Sequence, residues 1–261
     1  MDATSPPPVT PSASQRRYAR RMVERQPADL LSDVTRVAAI PANLGVVDAA
    51  LRLVVALARE TVVGANGVTV TLSRHGQMTT VASSDETIAQ MDRDQYATGQ
   101  GPCLAAAAEG RGFHVESLAE ETRWPEFIPR AIQGGINSIL STPLLAAAGP
   151  VGALNIYSNA ERAFGAQEQE LAALFATEAS GILTDAAVDI SAEQVAARLR
   201  DALRAREVIA QAQGVVMGRE GISAEDAFAR LRRASRQADI PMRQYAHDVV
   251  ASTRRYVTPS E

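Results

Sequence analysis

Two polar residues stand on the apolar stripe of one predicted helix. At 100° per residue, Arg206 and Gln213 fall near the centre of a face that otherwise carries leucine, isoleucine, valine, alanine and methionine. A guanidinium or an amide placed there must find hydrogen-bond partners, because burial without partners costs free energy. Either both side chains join a buried polar network, or the stripe also contacts something polar outside the domain and is a binding surface.

Cysteine and histidine residues limit the further chemistry. Cys103 is the only cysteine, which excludes an intrachain disulfide and a cysteine-rich metal site. Cys103 follows Pro102 at a predicted helix start, where a thiol pKa can be lowered, so redox sensing is one reading and a small buried hydrophobe is the other. His75, His114 and His247 lie far apart without metal-ligand spacing, so no metal site is predicted.

Catalytic motifs are absent from the sequence, and we predict that the protein is not an enzyme. The chain lacks lysine, which excludes the phosphate-binding Gly-x-x-x-x-Gly-Lys loop, and no serine lies in a Gly-x-Ser-x-Gly motif. Gly99-x-Gly101 does not follow a strand within a βαβ unit, so it is not a dinucleotide-binding fingerprint.

Charge is distributed unevenly along the chain. Residues 28–190 carry nine arginines against nineteen acidic residues, whereas residues 194–258 carry twelve arginines against seven acidic residues. A basic C-terminal segment suits a polyanion such as nucleic acid, although arginines on exposed helix faces are also ordinary.

Residues 28–190 alternate helical and strand patterns, which predict an α+β fold with helices flanking an antiparallel sheet. One hairpin signal is a pair of β-branched runs around Arg74-His75-Gly76-Gln77, with His75 expected to be exposed, and the other surrounds Ala148-Gly149-Pro150. The predicted helices span residues 48–62, 102–109, 125–133 and 166–189, and the predicted strands span residues 67–72, 78–82, 112–116, 138–146 and 151–157.

Four motifs in this region are more specific than the pattern of elements. They are Tyr96-x-x-Gly99-Gln100-Gly101-Pro102-Cys103, Arg123-Trp124-Pro125-Glu126-Phe127, Ser138-Ile139-Leu140-Ser141-x-Pro143-Leu144 and Gly152-Ala153-Leu154-Asn155-Ile156-Tyr157-Ser158. In this order they resemble the GAF domains of actinobacterial regulators, which are small-molecule sensors and dimerisation modules. The resemblance implies a ligand pocket between the sheet and its helices, but it identifies neither the ligand nor a cofactor.

Three residues of these motifs, Tyr96, Cys103 and Trp124, are candidates for the ligand pocket or for redox sensing, with packing as the alternative reading of Trp124. The lysine-containing signature of cyclic-nucleotide-binding GAF domains is absent. Bilin attachment would need Cys103, whose neighbours match the regulator pattern instead. A free-methionine-sulfoxide reductase on this fold would need several cysteines.

The C-terminal segment predicts three helices in a compact bundle. The first runs from Ala192 to Met217 and ends on Gly218-Arg219-Glu220-Gly221 as a glycine cap. Ser223 opens the second helix in the manner of a capping box, with Asp226 in place of the usual glutamate or glutamine. The third helix follows Asp239-Ile240-Pro241.

This bundle carries a second series of motifs: Leu199…Ala202-Leu203…Arg206-x-x-Ile209-x-x-Ala212-x-Gly214-x-x-Met217, then Ala227-Phe228-x-x-Leu231-Arg232, then Ala246-x-x-Val249. The series resembles the ANTAR domain, an RNA-binding module of bacterial transcription antiterminators that binds paired RNA hairpins. One departure is Gln213, which stands where the family usually has lysine.

The resemblance and the arginine side chain, which supplies a donor fork and a flat plane, together suggest the RNA-contacting residues. The candidates are Arg206, Gln213, Arg232 and Arg236, with Arg219 and Arg243 as peripheral phosphate contacts. The alternative for Arg232, Arg233 and Arg236 is a solvated helix face, and the alternative for Arg206 and Gln213 is a buried polar network.

The predicted organisation is a disordered basic and proline-rich tail (residues 1–27), a GAF sensor domain (28–187), a helical linker (188–194) and an ANTAR domain (195–256). Glycines and prolines interrupt the longest apolar stretch, and the N-terminus lacks a signal-peptide core, so we expect a cytoplasmic protein without a membrane partner.

Function follows from the two resemblances as an expectation. They imply a homodimeric, signal-responsive antitermination regulator that binds hairpin leader transcripts and an unidentified small molecule. The alternative is a small-molecule or redox sensor whose C-terminal helical bundle docks a protein partner.

Overall fold

The computed structural model describes residues 45–74, 76–185 and 192–254. The predicted tail, His75 and most of the predicted linker lie outside the described residues. The elements are α1 (Val46–Thr61), β1 (Gly67–Arg74), β2 (Gln77–Ser83), α2 (Glu86–Thr98), α3 (Pro102–Glu109), β3 (Phe113–Val115), α4 (Ile128–Gln133), β4 (Ser138–Ala146), β5 (Gly149–Ser158), α5 (Ala166–Asp185), α6 (Ala192–Glu220), α7 (Ala224–Gln237) and α8 (Met242–Arg254).

The strands form one antiparallel sheet in the order β2-β1-β5-β4-β3. Because successive side chains on a strand point to opposite faces, each strand contributes to two different cores. On one face, Val70, Leu154 and Leu140 pack under α1 and α5. On the other face, Ile139 and Tyr157 pack under α2, α3 and α4.

Three helices after the sheet form a bundle of their own. The second half of α6 packs with α7 and α8 through apolar side chains. Ser223 caps α7: its hydroxyl oxygen accepts from the Asp226 N–H at 3.1 Å and donates to the Asp226 carboxylate at 2.6 Å. Ser223 is therefore the N-cap of α7 as predicted, although Asp226 accepts from the Ser223 hydroxyl and not, as in a capping box, from its backbone N–H. The overall fold class of an α+β domain followed by an all-α bundle is confirmed.

Two helices differ from the predicted elements. The helix α2 was not predicted, although Asp85 caps its start by accepting from the Ile88 N–H at 3.0 Å and Gly99 ends it in the left-handed conformation. The helix α6 was predicted to end at Met217 with a cap from Gly218 to Gly221, and it continues to Glu220 inside that cap. The terminating glycine is Gly221, which has φ +65° and donates its N–H to the Met217 carbonyl at 2.9 Å.

The helix α6 links the two domains physically as well as in sequence. Ala196 and Leu199, in its first half, belong to the core between the sheet, α1 and α5. Ile209 and Ala212, in its second half, belong to the core of the C-terminal bundle, against which Ala166 of α5 also packs. Across the described ranges, no helix combines the length and the apolar character needed to span a bilayer.

Candidate nucleic-acid interface and buried polar network

A network of hydrogen bonds lies between the sheet and α2, centred on the fully buried Asp92. Tyr157 Oη donates to Asp92 Oδ1 at 2.5 Å. The hydroxyls of Thr71 and Thr80 donate to Asp92 Oδ2 at 3.1 and 2.8 Å, and Asn155 Nδ2 reaches Oδ1 at 3.4 Å. Strand alternation explains the arrangement, since these sheet residues point toward α2 rather than toward α1 and α5.

Two further residues of α2 extend this network. Gln95 Nε2 donates to Tyr157 Oη at 2.9 Å, and Gln95 Oε1 accepts from the Cys103 N–H at 2.8 Å. Tyr96 Oη lies 2.8 and 2.9 Å from the hydroxyls of Thr71 and Thr80. Gln95 thus ties the start of α3 to the sheet, and Tyr96 closes the network on its other side.

Burial dominates the electrostatics of this network. Desolvation raises the pKa of Asp92, while hydrogen bonds from Tyr157, Thr69, Thr80 and Thr71 act in the opposite direction. Desolvation and the neighbouring Asp92 raise the pKa of Tyr157 well above its usual value. A charged Asp92 is therefore tolerated only because several donors converge on it.

Two buried polar atoms in the same layer have no hydrogen-bond partner among the described residues, namely Asn155 Oδ1 and Ser141 Oγ. Asn155 and Ser141 are cross-strand partners on β5 and β4. Both side chains are fully buried. Asn155 Oδ1 and Ser141 Oγ are therefore buried polar atoms whose hydrogen-bonding capacity the described residues leave unused.

The structure places the three predicted GAF-site residues, Tyr96, Cys103 and Trp124, on this side of the sheet. The redox reading of Cys103 required a lowered thiol pKa. Desolvation, followed by the charge of Asp92, raises that pKa instead, and the residue is fully buried. Because the thiolate is the reactive form, this environment keeps Cys103 as the unreactive thiol.

Trp124 has the environment of a packing residue. It is 8% exposed, and its ring meets Phe113 in an edge arrangement with centroids 5.8 Å apart. The guanidinium of Arg123 stacks over the Trp124 ring at 4.5 Å and forms an ion pair with Glu121. Within the described part of the chain, no group of three histidine, cysteine, aspartate or glutamate side chains is arranged to hold a metal.

Sequence reasoning missed Asp92 and Gln95, although a usable signal was present. Ile88, Met91, Asp92 and Gln95 follow one another at helical spacing after the capping residue Asp85. A polar residue on such a stripe must be partnered inside the fold or at a surface. The rule that singled out Arg206 and Gln213 would have singled out these two residues as well.

On the C-terminal bundle, α7 separates apolar and basic side chains. Phe228 and Leu231 are buried in the bundle core. Arg232, Arg233 and Arg236 lie around a shallow depression of about 340 Å³ on the same helix. Among the described residues, no acidic side chain forms an ion pair with any of these three arginines.

Arg206 and Arg243 lie elsewhere on the bundle, at its junction with α5. They line a groove of about 260 Å³ whose other wall is α5. Arg206 is half-buried and has an interaction partner, whereas Arg243 is exposed. The structure therefore brings Arg232 and Arg236 together on one surface and Arg206 and Arg243 together on another.

The remaining two candidates differ in burial. Gln213 is 7% exposed, and its Nε2 donates to the Ala224 carbonyl at 2.6 Å, which joins α6 to the first turn of α7. This contact matches the buried-network alternative for Gln213. Arg219 is exposed near the end of α6, with its guanidinium 3.4 Å from the hydroxyl of Ser252 on α8.

Comparison with protein families finds two matches in this chain. Residues 46–184 match the model of the GAF domain, and residues 197–250 match the model of the ANTAR domain. The ANTAR match begins at residue 197, yet Leu199 still packs in the first core, so the start of this match and the end of the first core overlap on α6. No curated protein matches the chain.

Solved structures similar to this chain are distant. The GAF domain from an Acinetobacter phosphoenolpyruvate-protein phosphotransferase is 13% identical, with a TM-score of 0.45, covering 63% of this chain and 97% of that one. The GAF domain of the cyanobacteriochrome TePixJ is 19% identical, with a TM-score of 0.43 and coverages of 52% and 88%. A type II free methionine-R-sulfoxide reductase from Thermoplasma acidophilum is 16% identical, with a TM-score of 0.38 and coverages of 46% and 79%.

Proposed function

This chain belongs to the GAF domain family and carries an ANTAR domain behind it, and from that premise we propose that it is a signal-responsive, RNA-binding regulator of transcription antitermination. The GAF domain receives the signal, and the bundle of α6, α7 and α8 binds hairpin RNA. When a bound hairpin excludes a terminator, the polymerase reads through.

The observation that carries the proposal is the arginine surface of α7. Arg232, Arg233 and Arg236 surround one depression, and none of them forms an ion pair with a described acidic residue. A guanidinium without a carboxylate partner can offer its donor fork to phosphates and its plane to an unstacked base. Arg219 supports the same role from the exposed end of α6.

The number of subunits in the proposed assembly follows from the RNA target. Two paired hairpins need two ANTAR domains, so we propose a homodimer in the cytoplasm. We further propose that a small molecule acts at the GAF domain, on the side of the sheet where Asn155 and Ser141 keep unpartnered buried atoms.

A binding measurement on the full chain tests this function. We expect it to bind a tandem-hairpin leader RNA at least about tenfold more tightly than an unpaired RNA of equal length, with affinity that falls as salt rises. Replacing Arg232 and Arg236 together by glutamine should weaken hairpin binding and reduce the salt dependence.

The matched control is the double replacement of Arg52 and Arg59 by glutamine, which removes the same charge from the exposed side of α1. It should leave hairpin affinity nearly unchanged. Equal affinity of the full chain for hairpin and unpaired RNA would contradict the proposal. That result would favour the alternative in which the bundle docks a protein partner.

A further inference from the structure

The groove between α5 and the bundle has two chemically different walls. The α5 wall presents Glu170, Leu171, Leu174 and Glu178, which share one helix face because they are spaced by one, three and four residues. The bundle wall presents apolar side chains from three helices together with two arginines, and it comprises Arg206, Ile209, Phe228, Met242 and Arg243.

Charge on the two walls is complementary. Glu178 is 8% exposed; burial raises the pKa of its carboxyl group, and the charges of Arg198 on α6 and Arg243 on α8 act in the opposite direction. Glu170 is half-buried on the same wall. The carboxylates of α5 therefore face guanidinium groups of the kind that also bind RNA phosphates, so α5 and RNA present the same charge to the bundle.

We infer that the acidic face of α5 is a docking surface for the Arg206 and Arg243 face of the ANTAR bundle, and that hairpin RNA competes with α5 for that face. The inference rests on the proposed function, since it concerns the regulation of the same RNA-binding domain. Arg232, Arg233 and Arg236 lie outside the groove and stay accessible while α5 is docked.

Size makes the two partners exclusive. Pockets for small ligands begin at about 300 Å³, and the groove of about 260 Å³ is smaller than that. An RNA hairpin therefore reaches the half-buried Arg206 only if the bundle moves away from α5. The docked form binds RNA without Arg206, and the released form adds the Arg206 and Arg243 face.

The sheet is connected to α5 by two hydrogen bonds. The Leu145 N–H of β4 donates to Ser180 Oγ at 2.9 Å, and Gln169 Nε2 lies 3.2 Å from His114 Nδ1 of β3. A rearrangement of β3 and β4 caused by a ligand at the GAF domain would thus shift α5 directly. Release of the bundle is the physical step by which the signal changes RNA affinity.

Removing the charge from the α5 wall tests this competition. In the full chain, Glu170→Gln together with Glu178→Gln keeps the size of both side chains and should tighten hairpin-RNA binding about fivefold or more, the lower end of ordinary coupling between sites. Hydrogen exchange at residues 242–246, at the start of α8, should become faster in the variant without RNA.

The matched control is Glu86→Gln with Glu120→Gln, which removes two charges from side chains that are 84% and 69% exposed on the GAF domain. It should change neither affinity nor exchange. Thermal melting of both variants establishes that they are folded.

The possible outcomes separate the two proposals. If wild type prefers hairpin RNA and the α5 variant binds no more tightly than the control, the competition is wrong and the proposed function stands. If neither wild type nor the α5 variant distinguishes hairpin from unpaired RNA, the proposed function fails, and the competition fails with it.

Discussion

On α2, Asp92 and Gln95 occupy a buried helix stripe, and both find their partners inside one domain. On α6, Gln213 finds its partner inside the bundle, but Arg206 lies at the junction groove. The contrast shows that a polar residue on an apolar stripe does not by itself mark a binding surface. What distinguishes Arg206 is its position along the stripe, since it lies at the boundary between two domains and Gln213 lies inside the bundle.

The largest effect is expected in the GAF domain. Asp92→Ala leaves the donors of Tyr157, Thr71 and Thr80 buried without their acceptor, which should lower the free energy of unfolding by about 3 kcal/mol or more. Chemical denaturation measures the change. Glu86→Ala, exposed on the same helix, should cost less than about 1 kcal/mol. Similar costs for the two variants would show that the network does not stabilise the domain.

Acidification examines the same carboxyl group in a different way. Because burial raises the pKa of Asp92 in the folded state above its ordinary 3.8, the folded protein takes up this proton at higher pH than the unfolded chain. Relative to Asp92→Asn, wild type should gain stability as the pH falls from the raised pKa to 3.8, by up to about 1.4 kcal/mol per pH unit. Unfolding free energies of both proteins across that window provide the check, and a constant difference would argue against a raised pKa.

Gln213→Ala tests the internal member of the α6 pair. The Ala224 carbonyl loses its donor, so the bundle should be destabilised by about 1–2 kcal/mol. At temperatures where the variant is fully folded, its hairpin-RNA affinity should stay within about twofold of wild type, because the Gln213 amide donates to the Ala224 carbonyl inside the bundle. A large loss of affinity at matched folding would instead make Gln213 an RNA contact, as the sequence first suggested.

The smallest effect concerns the end of α6. Gly218 is helical and exposed with open space around it, so Gly218→Ala should stabilise the protein by about 0.5–1 kcal/mol. Gly221 has φ +65°, and Gly221→Ala should destabilise it. Thermal unfolding of the two variants gives opposite signs if α6 ends where the structure has it. The same sign for both would place the helix end elsewhere.

Much of the fold follows from local signals in the sequence. The helix α3 is bounded by Pro102 and Gly110, so it could be predicted closely. The β4–β5 hairpin could also be predicted, although its turn residues are Ala147 and Ala148, and Gly149 and Pro150 already belong to β5. The helix α2 was not predicted because Asp92 and Gln95 interrupt its apolar stripe, which weakens the hydrophobic periodicity by which helices are recognised.

The candidate site was less predictable than the fold. Arg206 could be singled out from its position on the stripe, but nothing local indicates that α5 forms the opposite wall of its groove. The effect of the Arg198 and Arg243 charges on Glu178 depends on how two domains pack. Such long-range packing produces no periodic pattern in the sequence of either packed element.

Hairpin-RNA affinity of the full-length Arg206→Ala variant tests the central claim most directly. The matched control is Arg204→Ala on the same helix, whose side chain is 73% exposed. With folding verified for both, and with both placed in the Glu170→Gln, Glu178→Gln chain whose bundle is released from α5, we expect Arg206→Ala to weaken binding about tenfold or more and Arg204→Ala to change it less than about twofold. If the released chain and its Arg206→Ala variant bind hairpin RNA equally well, Arg206 has no role in RNA binding and the competition between RNA and α5 for this face is wrong.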